Sequence, residues 1–221
     1  MNNKIIKFFI YFSLLFSENN NYYVWPTSAS ETLTDVFGED RSRRFHAGID
    51  VRTYGKIGDP LFAIYNGYVS RIKISPDGYG KTLYLKLDDG NTAVYAHIDE
   101  FNDLIKQKVK KIRLNTNQNF FDSYLKKNEI RFYKGETIAY AGDTGSLSGP
   151  HLHFEIRDEN NKPINPLKSI YAIEDTLRPI AKSIAFVPLD ENCWINGIQD
   201  YSIFNLEKLN DYKYVIQDTI S

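Results

Sequence analysis

The sequence predicts a mainly β chain, and three observations indicate this fold class. Aromatic residues, which are enriched in strands, make up 14% of the chain, with 16 Tyr and 14 Phe. Short runs in which apolar and polar residues alternate follow one another from residue 44 to residue 157. Turn signals such as Asp88-Asp89-Gly90-Asn91 separate these runs and are typical of β-hairpins.

The alternating runs predict the strands of a first domain. A Gly-rich loop, residues 142–149, leads directly into the last of them. The predicted strands are residues 44–51, 61–74 with a break at Asn66-Gly67, 82–87, 92–98, 135–142 and 151–156.

Residues 99–134 interrupt the β pattern and predict a helical insertion. Apolar residues recur at helical spacing from Phe101 to Ile112, and the lysines around them are interpreted as a solvated face. A second short helix is predicted near residues 120–127. A segment of this length is too long for a simple connection, so we expect it to pack against the sheet and form one wall of a substrate groove.

The pattern resets after Arg178-Pro179, where a second, small β-module begins. Residues 183–188, 193–198 and 214–220 are its predicted strands. Because the alternation continues to the last residues, residues 178–221 are interpreted as a partial C-terminal β-module.

Composition limits the classes of function. The 221 residues, 42% of them hydrophobic, can bury the core of one medium domain and part of another. A net charge of -1 gives no indication of a nucleic-acid partner or an anionic membrane. Cys193 is the only cysteine, which excludes an internal disulfide and a Cys-based zinc site.

The first residues predict a signal peptide at residues 1–17. Lys4 and Lys7 precede an apolar stretch, residues 8–16, that is too short to span a bilayer and is followed by polar residues. An N-terminal membrane anchor and a buried strand are the alternatives. We therefore expect an exported protein, located in the periplasm, the cell envelope or outside the cell, with no intramembrane span in the mature chain.

The chain has four histidines, and their positions predict one functional site. His46 opens a run that ends at Asp50, His97 ends a predicted strand, and His151 and His153 form a His-x-His pair. Since strand residues alternate sides, His46 and Asp50 share one face, as do His151 and His153. Apolar residues back both strands on the opposite face. The sequence therefore predicts metal-competent side chains on one surface of a sheet.

These residue types are those of a zinc hydrolase. Such enzymes usually have three protein ligands and an open position for water, whose pKa the metal lowers toward neutrality. His46, Asp50 and one histidine of the His-x-His pair can supply two nitrogens and one oxygen. Two histidines then remain for proton transfer and for stabilising an oxyanion.

The motifs together resemble those of the lysostaphin/LytM-type zinc metallopeptidases, bacterial endopeptidases that cut peptide bonds in peptidoglycan. The resemblance covers roughly residues 26–168. It is carried by Phe37-Gly38, Arg41, Phe45-His46-Ala47-Gly48-Ile49-Asp50, Tyr95-Ala96-His97, Gly142 to Gly145, and His151-Leu152-His153-Phe154-Glu155.

The resemblance implies a fold and a set of residue roles. The implied fold is a two-layer antiparallel β-sheet, like the duplicated hybrid motif, with the metal in a groove floored by the sheet. Residues 26–172 would form the metallopeptidase domain. His46, Asp50 and His153 would bind Zn²⁺, His151 would be the general base, and His97 would orient the water or stabilise the tetrahedral intermediate. The long segment at residues 99–134 departs from the family pattern and affects the expected shape of the groove.

We therefore expect an exported zinc-dependent endopeptidase that hydrolyses peptide bonds in peptidoglycan cross-links, with peptidoglycan peptides as its partners. The alternatives are a non-catalytic cell-wall binding or regulatory module on the same fold, and a zinc hydrolase of secreted proteins. Asp143-Thr144-Gly145-Ser146 also matches the aspartic-protease signature. That chemistry needs two such carboxylates, so the single copy is interpreted as a turn that supports the His-x-His strand.

Overall fold

The structure is a computed structural model that describes residues 22–41, 44–146, 149–169, 171, 180–194 and 197–217. The chain divides into two compact units, Met1–Ile173 and Glu174–Ser221. The predicted signal peptide and the junction between the two predicted domains, which end at residue 172 and begin at residue 178, lie outside the described residues. Over the described part of the chain, every helix is too short or too polar to cross a bilayer.

The first unit is built mainly of strands. They are β1 (Leu33–Asp35), β2 (Ile49–Arg52), β3 (Pro60–Phe62), β4 (Gly67–Ile74), β5 (Lys81–Leu87), β6 (Thr92–Ala96), β7 (Ile98–Phe101), β8 (Phe121–Tyr124), β9 (Arg131–Phe132), β10 (Thr137–Ala141), β11 (His151–Arg157) and β12 (Pro163–Ile164). Its helices are α1 (Asp103–Thr116) and α2 (Pro166–Ser169).

Two antiparallel sheets form the two layers of this unit. The larger sheet has the order β1-β2-β11-β6-β5-β4-β8, with β12 paired to β11 and β9 paired to β4. The smaller sheet has the order β3-β10-β7. The predicted two-layer antiparallel fold is therefore confirmed.

The hydrophobic core lies on one face of the larger sheet. Strand β11 contributes Leu152 and Phe154, which are fully buried. Leu61 and Ile138 of the smaller sheet belong to the same buried cluster. Because strand residues alternate sides, the histidines of β11 lie on the opposite face of the larger sheet, away from this core.

The predicted strand at residues 44–51 is only partly correct. The regular strand begins at Ile49, and Phe45, expected in an apolar backing, has 73% of its surface exposed. Before β2 the chain instead folds back on itself, because the His46 N–H donates to the Glu39 carbonyl at 2.8 Å. His46 therefore reaches the site from a loop and not from a strand face.

The predicted helical insertion contains one helix. Asn102 caps α1 by accepting a hydrogen bond from the Ile105 N–H at 3.1 Å. Ile105 and Val109 are buried in the core cluster, so the insertion packs against the rest of the unit as expected.

The second predicted helix, near residues 120–127, is wrong. Residues Phe121–Tyr124 form β8, which extends the larger sheet by pairing with β4. Phe121 and Leu125 pack against the core. A separation of four residues places side chains on one face in both a helix and a strand, so this spacing does not distinguish the two.

The second unit contains a three-stranded antiparallel sheet. Its strands are β13 (Ser183–Phe186), β14 (Ser202–Asn210) and β15 (Lys213–Ile216), in that order across the sheet. The first and last agree with the predicted strands. The middle strand was predicted at residues 193–198, whereas the structure places it at Ser202–Asn210, and Cys193 and Trp194 are not in a strand.

Candidate metal centre

Three side chains from different parts of the chain meet on the outer face of the larger sheet. Asp50 of β2 lies directly opposite His153 of β11 in the antiparallel register. His46 comes from the loop before β2. His46 Nε2 lies 2.9 Å from His153 Nδ1 and 3.1 Å from Asp50 Oδ1, and His153 Nδ1 lies 2.8 Å from Asp50 Oδ1. All three residues are buried, and together they could hold a metal ion.

In His46 and His153, the ring nitrogen on the side away from the cluster makes a hydrogen bond that determines which nitrogen faces the cluster. His46 Nδ1 lies 2.9 Å from the Val36 carbonyl, and His153 Nε2 lies 3.0 Å from Glu155 Oε1. Both are contacts to acceptors, so these nitrogens carry protons and donate. The other nitrogen of each ring, His46 Nε2 and His153 Nδ1, therefore faces Asp50 Oδ1. A metal cation at this cluster could thus be bound by two ring nitrogens and one carboxylate oxygen.

Asp50 is an anion in this arrangement. Burial alone would raise the pKa of its carboxyl, but contacts with His153 and His46 and the hydrogen bond from Arg41 outweigh burial and hold the pKa well below its usual range. Arg41 donates to Asp50 Oδ2 at 2.6 Å and also pairs with Asp35. Arg41 therefore occupies the outer oxygen of Asp50 and leaves Oδ1 directed at the histidines.

Glu155 positions His153 from the side away from the metal centre. It is fully buried and accepts hydrogen bonds from His153, Tyr79 and Arg157. Burial would raise the pKa of Glu155, but these donors lower it to about 2. An ionised carboxylate behind a ligand histidine fixes the ring orientation and increases the basicity of the facing nitrogen.

His97 and His151 lie beside the three clustered residues. Their ring centroids are 4.7 Å apart. His151 Nδ1 donates to the Gly149 carbonyl at 2.7 Å, and His97 Nδ1 donates to the Thr144 carbonyl at 2.8 Å. In both rings Nε2 is thus left for other chemistry. Burial lowers the pKa of His97, although the Thr144 carbonyl opposes this effect.

The backbone at His97 explains how this side chain reaches the site. His97 lies between β6 of the larger sheet and β7 of the smaller sheet, with φ of +57°. This left-handed conformation is uncommon outside glycine and often marks functional positions. The His97 N–H donates to the Tyr79 carbonyl at 3.0 Å, which holds the turn in place.

An open groove gives access to the centre. It has a volume of about 700 Å³, and its lining includes Arg41, Asp50, Tyr54 and His151. Asp50 therefore reaches the groove, and so does His151, whose side chain is 12% exposed. A substrate in this groove would lie against Asp50 and His151. Residues 99–134, all of which the structure describes, contribute nothing to its lining, so the expectation that the insertion forms a wall of this groove is wrong.

Gly48 permits the close crossing of the loop before β2 over β11. A Cβ at this position would lie 2.1 Å from the Phe154 carbonyl oxygen and 2.9 Å from Glu155 Cγ. We expect Gly48→Ala to lower the free energy of unfolding by about 1–3 kcal/mol, as overpacked substitutions do, and to weaken metal binding by displacing His46. Denaturant unfolding and metal titration measure the two effects.

Gly90→Ala is the control for this substitution. Gly90 has a φ of +97° but no neighbouring atom within 4 Å of the added Cβ. Gly90→Ala should therefore lower the free energy of unfolding through backbone strain alone and leave metal affinity unchanged. Unaltered metal affinity in Gly48→Ala would show that the crossing does not position His46.

The structure brings together all five residues singled out in the sequence. His46, Asp50 and His153 form the cluster, and His97 and His151 lie next to it. Sequence reasoning assigned no role to Arg41 or Glu155, although both belong to quoted motifs, and it interpreted Thr144 only as part of a turn. The signal for Glu155 was present, since it lies two residues after His153 and so on the same strand face.

Comparison with known proteins gives a family match. The model of peptidase family M23 matches residues 119–166, which include His151 and His153. Lipoprotein NlpD of Yersinia enterocolitica is 31% identical over 114 residues, which are 52% of this chain and 92% of that protein. DD-carboxypeptidase/endopeptidase Mpg of Neisseria meningitidis is 29% identical over 124 residues, 56% of this chain. This chain spans 22% of the length of Mpg.

Solved structures are also similar. A zinc containing peptidase from Vibrio cholerae has 26% identity and a TM-score of 0.49, over 66% of this chain and 39% of that one. The catalytic domain of lysostaphin from Staphylococcus simulans has 22% identity and a TM-score of 0.44, over 68% of this chain and 93% of that one. From the family model and the relative that this chain covers almost entirely, the chain belongs to peptidase family M23, as its lysostaphin/LytM-type motifs predicted.

Proposed function

We propose that this chain is an exported zinc-dependent endopeptidase that hydrolyses peptide bonds in peptidoglycan cross-links. The observation that carries the proposal is the convergence of His46 Nε2, Asp50 Oδ1 and His153 Nδ1, three potential ligand atoms within 3.1 Å of one another. Two nitrogens and one oxygen are a ligand set typical of catalytic zinc sites that keep a position for water.

Zinc at this cluster would lower the pKa of a water molecule and polarise the scissile carbonyl. The protein residues account for the remaining chemistry. His151 Nε2 faces the centre, 3.9 Å from Asp50 Oδ2, and takes the proton of the attacking water as general base. His97, held by Thr144, orients the water or stabilises the charge on the tetrahedral intermediate. Arg41 and Glu155 position Asp50 and His153.

Family membership and the named relatives support peptidoglycan as the substrate. Peptidoglycan DD-endopeptidase ShyB of Vibrio cholerae is 29% identical over 140 residues, 63% of this chain and 25% of that protein. Peptidoglycan lies outside the cytoplasmic membrane, so this substrate requires export. The positively charged and then apolar residues 1–16 supply a suitable signal.

Metal analysis combined with digestion of defined muropeptides tests the proposal. The purified chain should contain about one zinc per molecule, and mass analysis should show cleavage of a peptide bond in the muropeptides. A chelator should abolish cleavage, and added zinc should restore it. Bound zinc without cleavage of any muropeptide would favour the non-catalytic cell-wall module. Cleavage that survives chelation would contradict a metal mechanism.

A further inference from the structure

A second cavity lies under helix α1, within the insertion that departs from the family pattern. It has a volume of about 400 Å³. Ile74, Phe101 and Val109 give it an apolar floor, and Lys81, Lys110 and Arg113 give it a basic rim. Glu100, Lys106 and Leu114 complete the lining, and we call this cavity the α1 cleft.

The α1 cleft carries an excess of positive charge. Its one carboxylate, Glu100, is 2.6 Å from Lys106 Nζ and is therefore neutralised. Lys81 and Arg113 donate to backbone carbonyls, and among the described residues neither these two nor Lys110 pairs with a carboxylate. Three cations beside an apolar floor are complementary to a ligand with both carboxylate and apolar groups.

Thr144 connects the α1 cleft to the candidate metal centre. Its hydroxyl accepts a hydrogen bond from the Lys81 N–H at 2.9 Å, and its carbonyl accepts one from His97 Nδ1 at 2.8 Å. Thr144 thus holds both the backbone of Lys81 and the ring of His97, while the Lys81 side chain at the rim donates to the Asp99 carbonyl. A peptide bound at His97 can reach the cleft within a few residues of the reacting bond.

We propose that the α1 cleft is a substrate subsite that binds a carboxylate-bearing stretch of the peptide near the bond to be cut. This inference rests on the proposed function and gives it a charge preference. The insertion then contributes to the choice of substrate, while the metal centre performs the hydrolysis. Peptides with free carboxylates should bind better than the same peptides with those carboxylates amidated.

The test compares two variants of the full chain, the double variant Lys110→Gln/Arg113→Gln and the single variant Lys111→Gln. Lys111 is a matched control because it is an exposed lysine of the same helix that does not line the cleft. The probes are one fluorescent synthetic stem peptide with free carboxylates and its amidated form. Binding is measured by anisotropy in the His151→Ala background, so that bound peptide is not consumed, and kcat/KM is measured without that change.

We expect the double variant to lose about fivefold to tenfold in affinity for the free-carboxylate peptide at low salt, and less at high salt. Lys111→Gln and the amidated peptide should show little change. Equal loss for both peptides, or for Lys111→Gln, would overturn the subsite. Normal cleavage with no charge preference would also overturn it and leave the proposed function intact. Charge-dependent binding without any cleavage would support the subsite and contradict the proposed function.

Discussion

His46→Ala, Asp50→Ala and His153→Ala are each expected to strip the metal and abolish hydrolysis. Each change removes one of three ligand atoms that lie within 3.1 Å of one another. With two ligands an ion is weakly held, so affinity should fall by more than the roughly 10–100-fold typical of residues behind the ligands. Metal titration, with elemental analysis of the purified variants, measures the loss.

Glu155→Gln gives a graded comparison for these ligand variants. It keeps the shape of a side chain that contacts His153 Nε2 at 3.0 Å but removes its charge. The expected loss of metal affinity is therefore about 10–100-fold, with the site still formed. Asp122→Asn, which changes a carboxylate on the edge strand β8, should leave metal affinity unaltered. Full metal occupancy in any one ligand variant would remove that residue from the metal site.

The residues of the site could be predicted because histidine is rare in this chain. With four histidines in 221 residues, each motif that contains one is informative even before the fold is known. Strand β11 was predicted almost to its ends because apolar residues on one face and His151 and His153 on the other alternate without interruption. Local periodicity alone was sufficient there.

Other features depend on contacts between residues distant in sequence, which local patterns do not contain. Residues 44–48 alternate like a strand, yet Gly48 must cross the Phe154 carbonyl at a distance that excludes any Cβ. Residues Phe121–Tyr124 become a strand because the edge of β4 is available for pairing. The smaller sheet joins strands near residues 60, 100 and 140, an order that alternation does not specify.

The residues that position the ligands depend on the same distant contacts. Thr144 was interpreted as part of a turn that supports the His-x-His strand. One contact supports this interpretation, since the Gly142 carbonyl, just before the turn, accepts a hydrogen bond from the His151 N–H at 3.2 Å. The Thr144 carbonyl instead accepts from His97 Nδ1, 47 positions away. Its role follows from the packing of two loops and could not be derived from the motif itself.

His151→Ala and His97→Ala are expected to keep the metal and lose about 10²–10⁴-fold in turnover. Neither ring belongs to the three-residue cluster, so metal content should remain close to that of the unchanged protein. Each ring has Nδ1 occupied by a backbone carbonyl, which leaves Nε2 for the reaction. Metal content and kcat/KM on a muropeptide, measured on the same preparations, separate loss of the base from loss of the ion.

Tyr54→Phe is the matched control for these two variants, because Tyr54 lines the groove and is 61% exposed, and its hydroxyl contacts Thr32 and its ring contacts Arg52. Its turnover should stay within a few-fold of the original, so that a general disturbance of the groove is distinguished from loss of a reacting group.

Near-normal activity in His97→Ala or His151→Ala would remove that histidine from the mechanism. If His151→Ala instead lost the metal while His153→Ala retained it, the two roles within the His-x-His pair would be reversed. The structure argues against that reversal, because His153 Nδ1 faces both His46 and Asp50 at less than 3 Å, whereas His151 Nε2 comes no nearer than 3.9 Å to Asp50 Oδ2.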